Sequence, residues 1–199
     1  YQVTFHKPDG ATISGNQSMS YQVISSDKTL PTSVIQTGYQ FVGWYDNDEY
    51  TGDPVAVIPS GSTGDREYWA KMDLKVYTIT YENTQFDGLM TSGTIPETYT
   101  IESGEIPLPT KDNYERIDND GTRRITYEFV AWYKQSSLTG ATATTIAAGS
   151  TGDKTFYAKW KMVSIVTTID NATTVIADIP DYTNGITLIL NGSFNETST

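Results

Sequence analysis

Few side chains in this 199-residue chain are of the kinds that carry chemistry, and they are thinly spread. Asp65 and Asp153 recur in matching contexts, each closing a Gly-Ser-Thr-Gly-Asp run at 61–65 and 149–153. Paired carboxylates are the apparatus of glycoside hydrolysis, one acting as acid and the other as base or nucleophile. Here each sits in a turn motif, and no acidic pair recurs in a cleft-like context, so no catalytic residue is expected. The same run superficially resembles a phosphate-cradling loop, but it lacks the Lys after its second Gly and the strand-to-helix setting. It reads as a turn feeding a strand: Gly61, Gly64, Gly149 and Gly152 admit positive φ, and Ser, Thr and Asp bond nearby backbone.

Two acidic clusters invite a calcium reading, Asp46-Asn-Asp-Glu49 with Asp53 and Asp118-Asn-Asp-Gly121. Calcium takes six to eight oxygen ligands, and neither cluster has EF-hand spacing, so both read as solvated loops. No metal or cofactor is expected. His6, the single histidine, has no nucleophile pattern beside it and reads as a surface residue. With no Cys there is no disulfide, thiolate metal site or cysteine nucleophile.

The aromatic residues are the richer signal, with 14 Tyr and 4 Trp. Exposed rings stack on sugars, so a glycan-binding surface is one reading, and Tyr45 and Tyr133 are its candidates. Phe41, Trp44, Phe129 and Trp132 read as core instead. Burying one such ring contributes roughly 1.5–3 kcal/mol, and small modules depend on that. Arg116, Arg123 and Arg124, with Lys111, form the one local basic group, where an acidic ligand would map. The net charge of −11 opposes nucleic acid, whose binding rests on neutralising phosphates. No apolar run approaches the roughly 18 residues of a membrane span. The sequons at Asn16, Asn171, Asn191 and Asn195 are what an Asn/Ser/Thr-rich chain contains by chance.

The elements that hold these residues are duplicated. Tyr39-Gln-Phe-Val-Gly-Trp-Tyr45 faces Tyr127-Glu-Phe-Val-Ala-Trp-Tyr133 at an offset of 88, and from Tyr39–Met72 against Tyr127–Trp160 there are 15 identities in 34 positions. Upstream, Tyr1-Gln-Val-Thr-Phe5 matches Tyr77-Thr-Ile-Thr-Tyr81 at 76, and Tyr21-Gln-Val-Ile24 matches Tyr99-Thr-Ile-Glu102 at 78. The expected modules are 1–72 and 77–161, the second with a 10-residue insertion within 111–126, followed by a β-rich tail or start of a further module at 162–199. The joint Asp73-Leu-Lys-Val76 has no Gly or Pro and runs straight into a strand, which predicts closely spaced modules.

Alternating Thr- and Tyr-rich segments at 19–25, 39–46, 66–72, 97–102, 125–134 and 155–161 read as strands, punctuated by Gly and Pro. In the tail, 163–169, 174–179 and 185–190 read likewise. The best helix candidates are one or two turns near 26–35, 54–60 and 142–148. The expected fold class is mostly β, with at most one short helix per module.

Three segments, Tyr127-Glu-Phe-Val-Ala-Trp-Tyr133, Gly38-Tyr-Gln-Phe-Val-Gly-Trp-Tyr-Asp46 and Ala148-Gly-Ser-Thr-Gly-Asp-Lys-Thr-Phe-Tyr-Ala-Lys-Trp160, resemble the Listeria–Bacteroides repeat, the internalin-type B-repeat. The likeness covers both copies and leaves out the tail. Ala131 replaces the usual Gly, Met72 replaces the closing Trp, and the insertion interrupts copy two. The resemblance implies α+β, β-grasp-like modules in tandem on secreted or wall-anchored bacterial proteins, with no catalytic set to carry over. The expected function is a non-enzymatic stalk, spacer or adhesion segment, the alternative a glycan-binding module. Starting at Tyr1 and not at Met, the chain reads as part of a larger protein, continuous with other domains and without direct membrane insertion of its own. Its partner would be a host or surface protein or a glycan that the residues do not name.

Overall fold

The fold is described from a computed structural model at residues 1–15, 17–82, 95–110, 114–117, 123–169 and 172–177. Every regular element there is a strand, and no helix forms among the described residues. In chain order the strands are β1 (Gln2–His6), β2 (Thr12–Ile13), β3 (Met19–Ser20), β4 (Lys28–Thr29), β5 (Val34–Ile35), β6 (Tyr39–Tyr45), β7 (Val57–Ile58) and β8 (Arg66–Leu74). There follow β9 (Tyr77–Glu82), β10 (Thr98–Tyr99), β11 (Ile106–Pro107), β12 (Tyr114–Ile117), β13 (Arg123–Tyr133), β14 (Thr142–Ala143), β15 (Thr145–Ile146), β16 (Lys154–Ile169) and β17 (Ala172–Ala177).

By its contacts the chain forms two compact units. The first holds the described residues of 1–80, 96–107 and 145–154, and the second those of 81–95, 108–144 and 155–199. In the first unit a mixed four-stranded sheet runs in the order β3-β1-β8-β6. β1 lies parallel to β8, with Val3 opposite Arg66 and His6 opposite Trp69. β6 and β8 are antiparallel, with a register shift between Phe41 and Gly43. Two-stranded pairs, β2 with β5 and β4 with β7, complete the packing. Alternation sends Val3, Tyr68 and Ala70 to one face, where they meet Tyr21, Leu30, Val34, Trp44 and Ile58 in a single core.

In the second unit β13 pairs with β12, β14 and β16, and β16 pairs with β17. The β13–β16 ladder shifts register between Phe129 and Ala131, the positions equivalent to the shift in copy one, and again between Thr126 and Tyr127. Gly43 explains the small residue at the first bulge. A methyl group there would lie 2.7 Å from Pro54 Cβ. In copy two the counterpart of Pro54 is Thr142, and Ala131 takes the place of Gly43.

The helix candidates are corrected. Residues 26–35 carry β4 and β5, residues 54–60 carry β7, and residues 142–148 carry β14 and β15. Pro31, Pro54 and Pro59 lack the donor a helix needs. Leu30 N–H instead donates to Ala56 O at 2.9 Å, and Leu108 N–H to Thr144 O at 2.8 Å. The expected strands at 19–25 and 97–102 stop early, because tight turns follow at Gln22–Ser25 and Thr100–Ser103. Of the tail, 163–169 continues β16 and 172–177 is β17, while 185–190, the four sequons and the cluster at 118–121 lie outside the described residues.

Candidate functional site

The recurrent motif residues hold the modules together. Gly61 and Gly64 sit at φ 80° and 83°, and Gly149 and Gly152 at 74° and 79°, the left-handed region that favours glycine. That curl aims Asp65 Oδ1 at the N–H of Gln2 and Asp153 Oδ1 at the N–H of Thr78, each at 2.8 Å. The Gly64 carbonyl accepts the Tyr21 hydroxyl, and the Gly152 carbonyl accepts that of Tyr99. Bonding from the Thr78 N–H, then from its hydroxyl, holds the Asp153 carboxyl below the usual carboxylate range, with Lys154 adding to the effect. Both recurrent carboxylates are thus engaged as acceptors for the first strand of their own copy.

The aromatic motif is equally committed. Trp44 and Trp132 are each 2% exposed, and their indole N–H groups donate to Pro31 O at 2.6 Å and Pro109 O at 2.7 Å. Phe41 and Phe129 are half-buried against them, with ring centroids at 5.5 and 5.4 Å.

Tyr45, expected to reach solvent, is only 6% exposed, because Tyr50 packs edge-on to it and Lys71 Nζ lies 5.5 Å over its ring. Tyr133 is half-buried, with Lys159 Nζ 6.0 Å over the ring. Arg124 is exposed and faces Glu115 at 3.8 Å. Arg116 and Arg123 are placed by their backbone in β12 and β13, and their side chains lie outside the described residues, as does Lys111. Asn47 closes the 46–53 loop, accepting the Thr51 N–H at 3.0 Å and donating to Thr51 O at 3.1 Å. Among the described residues no His, Asp and Glu side chains gather into a metal-holding group.

One cleft was not read from the sequence. It measures about 370 Å³ and lies in the first unit beside the start of β8, lined by Asp46, Val55, Val57, Ile58, Pro59, Asp65, Arg66, Glu67, Tyr68 and Trp69. Trp69 is half-buried, and His6 stacks on it at 4.5 Å with a 14° tilt while its Nε2 lies 2.9 Å from Glu67 Oε2. Arg66 Nε donates to the Tyr21 hydroxyl at 3.4 Å, and burial pushes the Tyr68 hydroxyl up. A signal did exist: Asp46, Arg66, Glu67 and Trp69 stand where copy two has Lys134, Lys154, Thr155 and Tyr157. Those four wall residues are therefore private to copy one, whereas Ile58 and Asp65 in the same lining recur as Ile146 and Asp153.

A second set of contacts in the first unit involves residues from both copies. Lys75 N–H donates to Gly38 O at 2.9 Å, and the Tyr39 hydroxyl donates to Glu102 Oε1 at 2.5 Å. Gly38, at φ 81°, faces Ile101 so closely that a methyl group would lie 2.5 Å from Ile101 Cγ2.

Among the described residues, strands closed by an aromatic core and a glycine-aspartate turn recur with the same bonds in both copies, which defines a class of tandem repeat module. Residues 1–71 and 118–159, together more than half of the chain, match the model of the Listeria-Bacteroides repeat domain, and the chain belongs to that family. Domains of this family occur in bacterial surface proteins. Neither the curated proteins nor the solved structures contain a match.

Proposed function

We propose that this chain is a non-enzymatic stalk or spacer segment of a secreted or surface-displayed bacterial protein, holding other domains at a set reach. The observation that carries this reading is the joint. Gly38 of copy one packs against Ile101 and Tyr39 bonds Glu102 of copy two, while Lys75 of the linker bonds back to Gly38. A spacer transmits position only if successive modules are fixed to one another, and this joint supplies a steric match at Gly38 and a hydrogen bond from Tyr39 to Glu102. The shared carboxylates, Asp65 and Asp153, are engaged by backbone N–H groups, which suits a structural role for them.

Backbone NMR relaxation tests the reading. Residues of the two copies are expected to tumble with one correlation time, and Ile101→Asp is expected to separate them. Independent tumbling in the unaltered chain would sink the proposal.

The cleft at Trp69 favours a second reading, a glycan-binding role in adhesion. An aromatic edge beside Asp46, Glu67 and Arg66 offers a stacking surface and partners for hydroxyl groups. Neutral oligosaccharides titrated against the chain should then shift the resonances of Trp69 and Glu67, and Trp69→Ala should abolish the shift. A flat titration across a neutral glycan panel removes this reading and leaves the spacer intact.

A further inference from the structure

The turn that makes the joint occurs twice, and only one of the two is covered. In copy two, Thr100 N–H donates to Ser103 Oγ at 3.0 Å, and Ser103 N–H to Thr100 O at 3.1 Å. In copy one, Gln22 N–H donates to Ser25 Oγ at 3.0 Å, and Ser25 N–H to Gln22 O at 2.8 Å. The two turns thus share one geometry and present their central residues alike. In copy two those residues are Ile101, half-buried against Gly38, and Glu102, bonded to Tyr39. In copy one they are Val23 and Ile24, which are 46% and 89% exposed.

An apolar pair at the tip of a tight turn is an unusual surface choice. Ile24 stands where copy two has a glutamate, so the two turns share one shape while that of copy one is the more apolar. Val23 is also held in place, since its carbonyl accepts the Gly61 N–H at 3.2 Å.

We infer that the Val23–Ile24 turn is a docking surface for another module of this same repeat, received through that module's Gly-Tyr turn as Ile101 and Glu102 receive Gly38 and Tyr39. Val23 would fill the space Ile101 fills against the glycine, and Ile24 would lie on the tyrosine ring where Glu102 bonds the hydroxyl. The chemistry of the occupant follows from the observed joint. It needs a glycine with positive φ, because any Cβ at Gly38 overlaps Ile101, and an aromatic residue directly after it. Copy two cannot serve as that occupant. Its equivalent position is Thr126, which is paired with Ser164 inside the β13–β16 ladder. A second copy of the whole chain is a poor occupant as well, since its own Gly38 turn is already filled by Ile101.

The inference rests on the spacer reading, and the test separates the two. A further copy of residues 1–76 is fused ahead of Tyr1, so that Val76 meets Tyr1 as it now meets Tyr77. Hydroxyl-radical footprinting then reads the side-chain accessibility of Ile24, Val23 and Ile101 in the original and extended chains. In the original chain Ile101 is expected to react severalfold more slowly than Ile24. In the extended chain Val23 and Ile24 are expected to become severalfold less reactive, and Gly38→Val in the added copy alone to restore their reactivity. If Ile101 is protected but Val23 and Ile24 react equally in both chains, docking at this turn is overturned while the spacer joint stands. If Gly38→Val leaves the protection in place, the assigned mode of docking is overturned. If Ile101 reacts as fast as Ile24, the joint itself fails, and both readings fall with it.

Discussion

At the scale of single residues, the repeated side chains act as fasteners. The Trp44 indole ties the buried ring to the Pro31 carbonyl, and Trp132 does the same with Pro109. Trp44→Phe keeps most of the ring and strands that carbonyl, which is expected to cost about 1–3 kcal/mol in urea denaturation. Trp44→Ala also opens a cavity and is expected to cost about 3–5 kcal/mol. Asp153 gives a pH signature. Its carboxyl is held below the usual range in the folded chain, chiefly by the Thr78 N–H. A depressed carboxylate contributes stability above its unfolded value of 3.8 and loses it as the pH falls through the lower folded value. Asp153→Asn should therefore melt earlier than the parent at neutral pH, with the gap closing below the carboxylate range. A gap that stays constant down to pH 2, read by circular dichroism, would exclude this bond as its source.

At the scale of elements, the repeat was legible because its signals are local. The strand alternation of Tyr39–Tyr45 and the glycines at 61 and 64 state their geometry in their own residue types. Trp44 and Trp132 were placed in the core by size alone. The helix candidates failed for a different reason. Their short apolar stretches gave a weak periodicity, and the prolines together with pairings such as Lys28 opposite Ile58 decided for extended chain. Tyr45 departs from the expected exposure because Tyr50 and Lys71 cover it, contacts that its own alternation pattern does not encode. The cleft at Trp69 depends on residues from 46 to 69 folding around the start of β8, a non-local fact carried only by differences between the copies. Burial is also titratable at this scale. Tyr81, packed on Trp132 and Phe156, has its hydroxyl pushed up to about 12 by desolvation. A raised value means stability is intact below the unfolded value of 10.0 and is lost as the pH climbs towards 12. Tyr81→Phe should flatten the alkaline melting curve in that window, and an unchanged curve would show that another group governs it.

At the scale of the whole molecule, charge sets the company the chain keeps. The net −11 is spread along it, −4 in 1–72, −3 in 77–161 and −4 in 162–199. Anionic glycosaminoglycans are therefore expected to pass over it, and retention on a heparin column at physiological salt would contradict that. One feature of the first sheet bears on how such a chain responds to load. β1 opens copy one, β8 closes it, and the two lie side by side and parallel, Val3 through His6 against Arg66 through Trp69. A pull on the start of β1 and the end of β8 therefore drags neighbouring strands past each other along their length. Their cross-links must break together in shear, whereas an antiparallel pair pulled from one end would unzip bond by bond. This sheet order thus makes copy one a mechanical clamp along its own sequence axis, whatever the module is asked to hold.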